Sequence, residues 1–135
     1  MLGFQPQRQM MLHPVLLEAR QTAPNQILMT YDRRAESASA TNVSNYWIRG
    51  NAGALGIASV GMGEALSAEN AIRSDRAVIT AADNTGMRYL MTFRDNAMTG
   101  VPYIVLPCFV NLEGMTGYRG GNWGPMSRNV FIGER

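Results

Sequence analysis

The stretch Arg76–Arg94, RAVITAADNTGMRYLMTFR, decides the fold. In its second half Met87, Tyr89, Met91 and Phe93 alternate with Arg88, Leu90, Thr92 and Arg94. That is a period of two, the spacing of a strand with one face inward, and not the 3.6 of a helix. Its first half, Arg76–Ala81, is short and β-branched. The connection Ala82–Gly86 (ADNTG) supplies the Asp, Asn and Gly of a tight return. The two halves therefore read as a β-hairpin with Arg88 and Arg94 on its polar face.

Outward from this hairpin the same signals recur. Downstream, Asp95–Gly100 is a turn and Val101–Leu112 (VPYIVLPCFVNL) a long apolar strand. It is central over Tyr103–Leu106 and bent at Pro107. Glu113–Pro125 carries five glycines (114, 117, 120, 121 and 124) and reads as a loop. Arg128–Ile132 closes the chain as a strand. Upstream, Glu64–Asp75 is the one helix candidate, with Leu66, Ala71 and Ile72 on an apolar face and Ser67 as its start signal. Gly50–Gly63 suggests a strand around Leu55, Ile57 and Val60, interrupted by glycine. Asn45–Arg49 and Gln26–Tyr31 are strands, Asp32–Asn42 a small-residue loop, and Gln21–Asn25 a turn. Met10–Glu18 is an edge strand or two pieces split by Pro14. Residues 1–9, rich in Gln, form an extended arm ahead of a single domain over 10–135.

About eight short strands with turn signals every ~8–12 residues and almost no helix define an all-β chain. The expected architecture is an antiparallel β-sandwich of jelly-roll or Greek-key type. The chain has 135 residues, enough for one domain with its own core.

Composition narrows the function. All 12 basic residues are arginine, set against 10 acidic residues, and only 16% of the chain is charged. The arginines are dispersed; the tightest pair, Arg33-Arg34, follows Asp32. That is not the clustered footprint of a nucleic-acid binder. No stretch approaches the ~20 apolar residues of a spanning helix, so no membrane partner is expected. One cysteine, Cys108, and one histidine, His13, leave no ligand set for a metal and no cofactor motif. Gly61-Met62-Gly63 lacks the third glycine of a dinucleotide loop, and Ser59 lacks the glycine two residues earlier that a nucleophile elbow needs. Cys108 with His13, or the carboxylates of Asp83, Asp95 and Glu113, would be the groups of an enzyme. Cys108 lies in an apolar strand, where free cysteine packs as a small hydrophobe, and carboxylates in turns mostly shape the turn. The reading is therefore not an enzyme, with no catalytic residues assigned.

What remains is contact chemistry. Tyr118, Arg119, Gly120, Gly121, Asn122 and Trp123 place aromatics and Arg on a glycine-rich loop, the residue types of interface hot spots. Arg33 and Arg34 add bidentate donors on the polar loop. Arg33, Arg34, Tyr118, Arg119 and Trp123 are the candidate partner-binding residues. Low charge suits a chain whose surface is covered in an assembly. In length, strand pattern and composition the whole chain resembles the jelly-roll head-decoration, or cement, proteins of tailed bacteriophages. The resemblance implies a homo-oligomer, expected as a homodimer, that clamps the major capsid protein on the virion's outer surface. Before assembly it would be in the host cytoplasm. A carbohydrate- or receptor-binding sandwich using Tyr118–Trp123 is the alternative.

Overall fold

In the computed structural model, which describes residues 11–51 and 56–135, eight strands form two four-stranded sheets. The strands are β1 (Leu16–Ala23), β2 (Gln26–Tyr31), β3 (Tyr46–Gly50), β4 (Val60–Gly61), β5 (Ala77–Ala81), β6 (Arg88–Phe93), β7 (Pro102–Pro107) and β8 (Val130–Ile132). One sheet has the order β1-β2-β6-β5 and the other β4-β3-β7-β8. All neighbours are antiparallel except the two-residue pairing of β3 with β4. The chain is an all-β sandwich, and its connectivity is a Greek key with the strand order of immunoglobulin-type domains.

The hairpin forms as the alternation requires. Ala77 pairs with Phe93, Ile79 with Met91 and Ala81 with Tyr89. Tyr89, Met91 and Phe93 are buried, whereas Arg88, Leu90 and Thr92 are only half-buried. In the return, the Asp83 carboxylate accepts hydrogen bonds from the Thr85 N–H at 3.0 Å and its hydroxyl at 2.6 Å. Gly86 follows with φ +76, the left-handed region glycine enters without a Cβ clash. Arg94 lies just past the strand, its N–H on the Arg76 carbonyl.

The main core lies between the sheets. Ile27 and Met29 from β2, Tyr89, Met91 and Phe93 from β6 and Ile79 from β5 meet Tyr46 and Ile48 from β3 and Tyr103 and Val105 from β7. One polar chain is sealed inside. The Tyr31 and Tyr46 hydroxyls lie 2.7 Å apart, and Tyr46 donates to the Ala40 carbonyl at 2.6 Å. Burial pushes both phenols above their ordinary range, so both stay neutral donors.

A corner at the start of β7 closes the sandwich. The Tyr103 hydroxyl accepts the Met98 N–H, five residues back, at 2.8 Å. This matches the tyrosine corner of immunoglobulin-type sandwiches, here between β6 and β7. Here Trp47 of β3 departs from the immunoglobulin pattern, because it faces away from the main core. With Val60, Ala71, Leu106 and Cys108 it makes a second small core on the outer face of its sheet.

Several expectations are corrected. Glu64–Asp75 is not a helix; it holds only the 3-10 turn Ala68–Asn70, with Ser67 at its N-cap. Its apolar residues split: Ile72 enters the main core, while Ala71 and Leu66 cover Trp47. The Trp47 indole N–H, donating to the Ser67 carbonyl at 2.9 Å and the Asn70 amide oxygen at 2.8 Å, fixes this segment more firmly than helix propensity could. The Gly50–Gly63 strand shrinks to β4; Leu55 lies outside the described residues. β1 runs through the expected Gln21–Asn25 turn as far as Ala23. The Val101–Leu112 strand stops at Pro107. The Asp32–Asn42 loop contains a one-turn helix, Ser37–Ala40, whose first turn is capped by the Glu36 carboxylate on the Ser39 N–H. The arm at residues 1–9 lies outside the described residues.

Candidate contact surface

The predicted contact residues come from two loops, and the structure brings the loops together at one end of the sandwich. The β2–β3 loop lies along the β7–β8 loop. The Glu36 N–H donates to the Asn111 carbonyl at 2.7 Å, and the Glu113 N–H to the Arg34 carbonyl at 3.0 Å. Arg34 adds a two-pronged contact, Nε and Nη2 to the two Glu113 carboxylate oxygens at 2.9 and 3.3 Å. Arg34 is thus engaged within the chain. Both partners are half-exposed, so the ion pair contributes little to stability beyond holding the loops in register.

Buried amides do more. The Asn111 Nδ2 donates to Glu36 and its Oδ1 accepts the Tyr118 N–H at 2.9 Å. The hydrogen bonds from Ser39 and Asn111 hold the Glu36 carboxyl below its ordinary range. Asn122 is fully buried. Its Nδ2 donates to the Pro14 carbonyl at 2.8 Å and the Val110 carbonyl at 3.0 Å, and its Oδ1 accepts the Val110 N–H at 3.0 Å. Asn122 was grouped with the contact residues by its neighbours in sequence; it is instead the pin that ties the approach to β1 onto the loop.

Two aromatic rings lie over Gly120–Gly121. A Cβ on Gly120 would lie 2.6 Å from the Tyr118 hydroxyl, and one on Gly121 would lie 2.6 Å from the Trp123 ring. The adjacent glycines are therefore needed so that both rings can lie on the backbone. His13 stacks on Tyr118, centroids 4.1 Å apart and planes 10° from parallel. Phe109 joins the loop through its backbone N–H, which donates to the Gly120 carbonyl. Phe109 has φ +65, the one described non-glycine residue in the left-handed region, a conformation that costs on the order of 1–3 kcal/mol. It packs edge-on against Trp47 yet stays 42% exposed, and Trp123 stays 38% exposed. Sequence reading missed Phe109 because it places the residue inside an apolar strand. The bend at Pro107 is the only signal of its outward turn.

Arg33 and Arg119 are exposed and form no ion pair among the described residues. So of the five predicted residues, Arg33, Arg119 and Trp123 are presented to solvent. Tyr118 is half-covered by His13, and Arg34 is held by Glu113.

The groups weighed for catalysis are dispersed into separate structural roles. Cys108 is buried, and burial pushes its thiol up to about 11. The His13 ring bonds the Met11 carbonyl at 2.8 Å. Asp83 shapes the hairpin return, Asp95 faces Arg76 at 3.6 Å and Glu113 holds Arg34. Among the described residues no three His, Cys, Asp or Glu side chains gather as a metal site, and no helix is long and apolar enough to cross a membrane.

The class defined so far is a β-sandwich of immunoglobulin-type order carrying an aromatic loop cluster at one end. No protein-family model matches the chain, and no curated protein matches it significantly. Among solved structures, the chain is similar to surface layer protein SbsC, domains 1–6, over 90% of its own length, with TM-score 0.58 and 13% identity. It is also similar to the N-terminal part of the bacterial S-layer protein SbsC over 88% of its length, with TM-score 0.51 and 12% identity. The chain spans 14% and 22% of those two chains. At such identity the likeness is one of fold.

Proposed function

We propose that the chain is a structural virion protein: a capsid decoration, or cement, protein that binds and stabilises the assembled shell of a major capsid protein. One observation carries this reading. Among the described residues eleven large apolar side chains are exposed, including Met126 at 84% and Phe109, Met115 and Trp123, all four on the β7–β8 loop. On a chain with 16% charged residues, this much exposed apolar surface is suited to being covered. Aromatics and methionine beside the exposed Arg33 and Arg119 supply the anchors and polar rim of an interface. Binding the closed shell in preference to the opened one would stabilise the shell by mass action.

The test is co-sedimentation with capsids lacking the protein, with and without the double substitution Trp123→Ala and Arg119→Ala. The intact chain should pellet with the shells and raise their resistance to heating, and the variant should bind at least tenfold more weakly. A chain that stays in the supernatant at micromolar concentration overturns the proposal.

A second reading rests on the Trp123 ring lying over Gly121. An exposed aromatic plane held by glycine can stack against a sugar ring. Glycan-array binding abolished by Trp123→Ala would favour a carbohydrate-binding module. The similar solved structures belong to a surface-layer protein, so this sandwich already serves one surface structural protein. That likeness supports a structural role without indicating a partner.

A further inference from the structure

The two sheets have four edge strands, and three of them are closed. β1 and β8 run side by side in the same direction and are tied to each other. The Ala19 N–H donates to the Arg128 carbonyl at 2.9 Å and the Arg128 N–H to the Leu17 carbonyl at 2.8 Å. The Gln21 side chain donates to the Glu134 carbonyl at 2.9 Å and accepts its N–H at 2.8 Å. β4 is only two residues long, and the Glu64 carboxylate takes the Gly61 N–H. The fourth edge, β5, has no such tie among the described residues.

The pairing of β5 with β6 shows which of its groups are left over. The Ala82 N–H donates to the Arg88 carbonyl and the Arg94 N–H to the Arg76 carbonyl, which brackets the strand. Antiparallel pairing alternates, so between these brackets Val78 and Thr80 bond to β6. The N–H and C=O groups of Ala77, Ile79 and Ala81 therefore point outward, and they make no hydrogen bond among the described residues. Val78 is 57% exposed, and Thr80 and Ala81 are exposed beside it. The strand reads AVITA, with no charge, no proline and no glycine, and its register holds no bulge. Those are the devices that ordinarily keep an edge from pairing.

We propose that β5 pairs antiparallel with β5 of a second copy of the chain, joining two four-stranded sheets into one continuous sheet. The sequence is its own partner. About Ile79, Ala77 meets Ala81, Val78 meets the equally branched Thr80, and Ile79 meets itself. A two-fold interface requires this self-complementarity. In that register all three outward residues pair, giving about six main-chain hydrogen bonds. The side chains at the seam are uncharged, because Val78 and Thr80 are flanked on β6 by Thr92 and Leu90. Charge balances at the two ends. Asp75 comes near Asp83 of the copy, but each acid has an arginine of its own chain beside it, Arg73 at 3.4 Å and Arg88 at 3.8 Å. Five paired residues are few beside the ~1,600 Å² of a standard interface, so the dimer forms and dissociates with concentration. Antiparallel pairing sends the two aromatic loop ends to opposite poles of the dimer. This inference goes beyond the shell-binding proposal and does not depend on it.

The test is sedimentation velocity on the full-length chain at about 1 and about 100 µM, the range of a weak, small interface. Monomer at the lower concentration and dimer at the higher are expected. Val78→Lys puts a charge on an exposed position of the edge, and Ala81→Pro removes an N–H that β6 does not use. Each should leave the thermal transition in place and raise the dissociation constant at least about tenfold. Register is read by disulfide formation. Val78 and Thr80 of the copy form a non-hydrogen-bonded pair with Cα atoms about 4.5 Å apart, within reach of a disulfide. Val78→Cys mixed with Thr80→Cys should oxidise to a heterodimer at least about tenfold more abundant than Val130→Cys mixed with Ile132→Cys, two exposed positions on β8. Cys108 is buried in every variant. A monomer at both concentrations leaves the edge to another partner or to water and overturns the proposal. A dimer that survives both substitutions, or equal linking on β8, also overturns it. No shell is present, so failure here is distinct from failure to bind capsids.

Discussion

Asn122 stands in the most exposed-looking loop of the chain and yet is fully buried, with three hydrogen bonds to the backbones of Pro14 and Val110. Asn122→Ala leaves those groups unpaired at about 1–3 kcal/mol each. The midpoint of urea unfolding should drop accordingly, whereas Arg33→Ala should shift it by less than ~0.5 kcal/mol equivalent. Cys108 makes a chemical prediction. With its thiol at about 11 instead of 9.0, the thiolate fraction at pH 8 falls about 100-fold. A maleimide should therefore label Cys108 slowly in the native chain and rapidly in guanidinium; equal rates would show that the outer-face core is open. Glu36 sets an acid limit. Its carboxyl is held below its ordinary 4.5 in the folded chain, so its contribution is complete above 4.5 and is lost as pH falls through the lower folded value. Glu36→Ala should lower stability at pH 7 and flatten the acid limb of a stability–pH curve measured by thermal unfolding.

Elements are where sequence and structure part company, for identifiable reasons. The Arg76–Arg94 hairpin was legible because alternation and turn chemistry agree there. The Glu64–Asp75 segment was not, because its apolar residues serve two different cores and a tryptophan distant in sequence sets its path. Trp47→Phe tests this. It keeps a ring in the outer-face core but removes the indole donor from the Ser67 carbonyl and the Asn70 amide oxygen, leaving only the bonds these two residues make to each other. Hydrogen exchange over 64–75 should accelerate, while the β5–β6 hairpin keeps its protection. The candidate surface was legible in composition and only partly in geometry. Arg119 and Trp123 were singled out from the aromatic and Arg content of the loop, and both are exposed. Phe109 was hidden by the apolar run that precedes it, and the Arg34–Glu113 pair joins residues 79 apart in sequence, which no local pattern could announce.

At the scale of the whole molecule, the two sheets are locked by the corner at Tyr103 and by close packing at Gly133, where a Cβ would collide with the Met98 carbonyl. Tyr103→Phe removes one hydrogen bond and should lower Tm by several °C, about 1–2 kcal/mol. Gly133→Ala should cost more, because backbone has to move. If both leave Tm unchanged in a calorimetric scan, the corner is not what closes the sandwich. The lysine-free composition also makes sense at this scale: dispersed arginines offer planar, bidentate contacts to protein carboxylates without building one strongly basic face.

The parallel course of β1 and β8 carries a mechanical consequence. The chain enters at the loop end, beside Asn122, and leaves past Glu134 at the opposite pole. Tension applied between the two ends therefore pulls along the strands and loads the Ala19–Arg128, Leu17–Arg128 and Gln21–Glu134 contacts together, in shear. A hairpin pulled across its strands would open one bond at a time, like a zipper. A sandwich wired in this way resists stretching along its long axis.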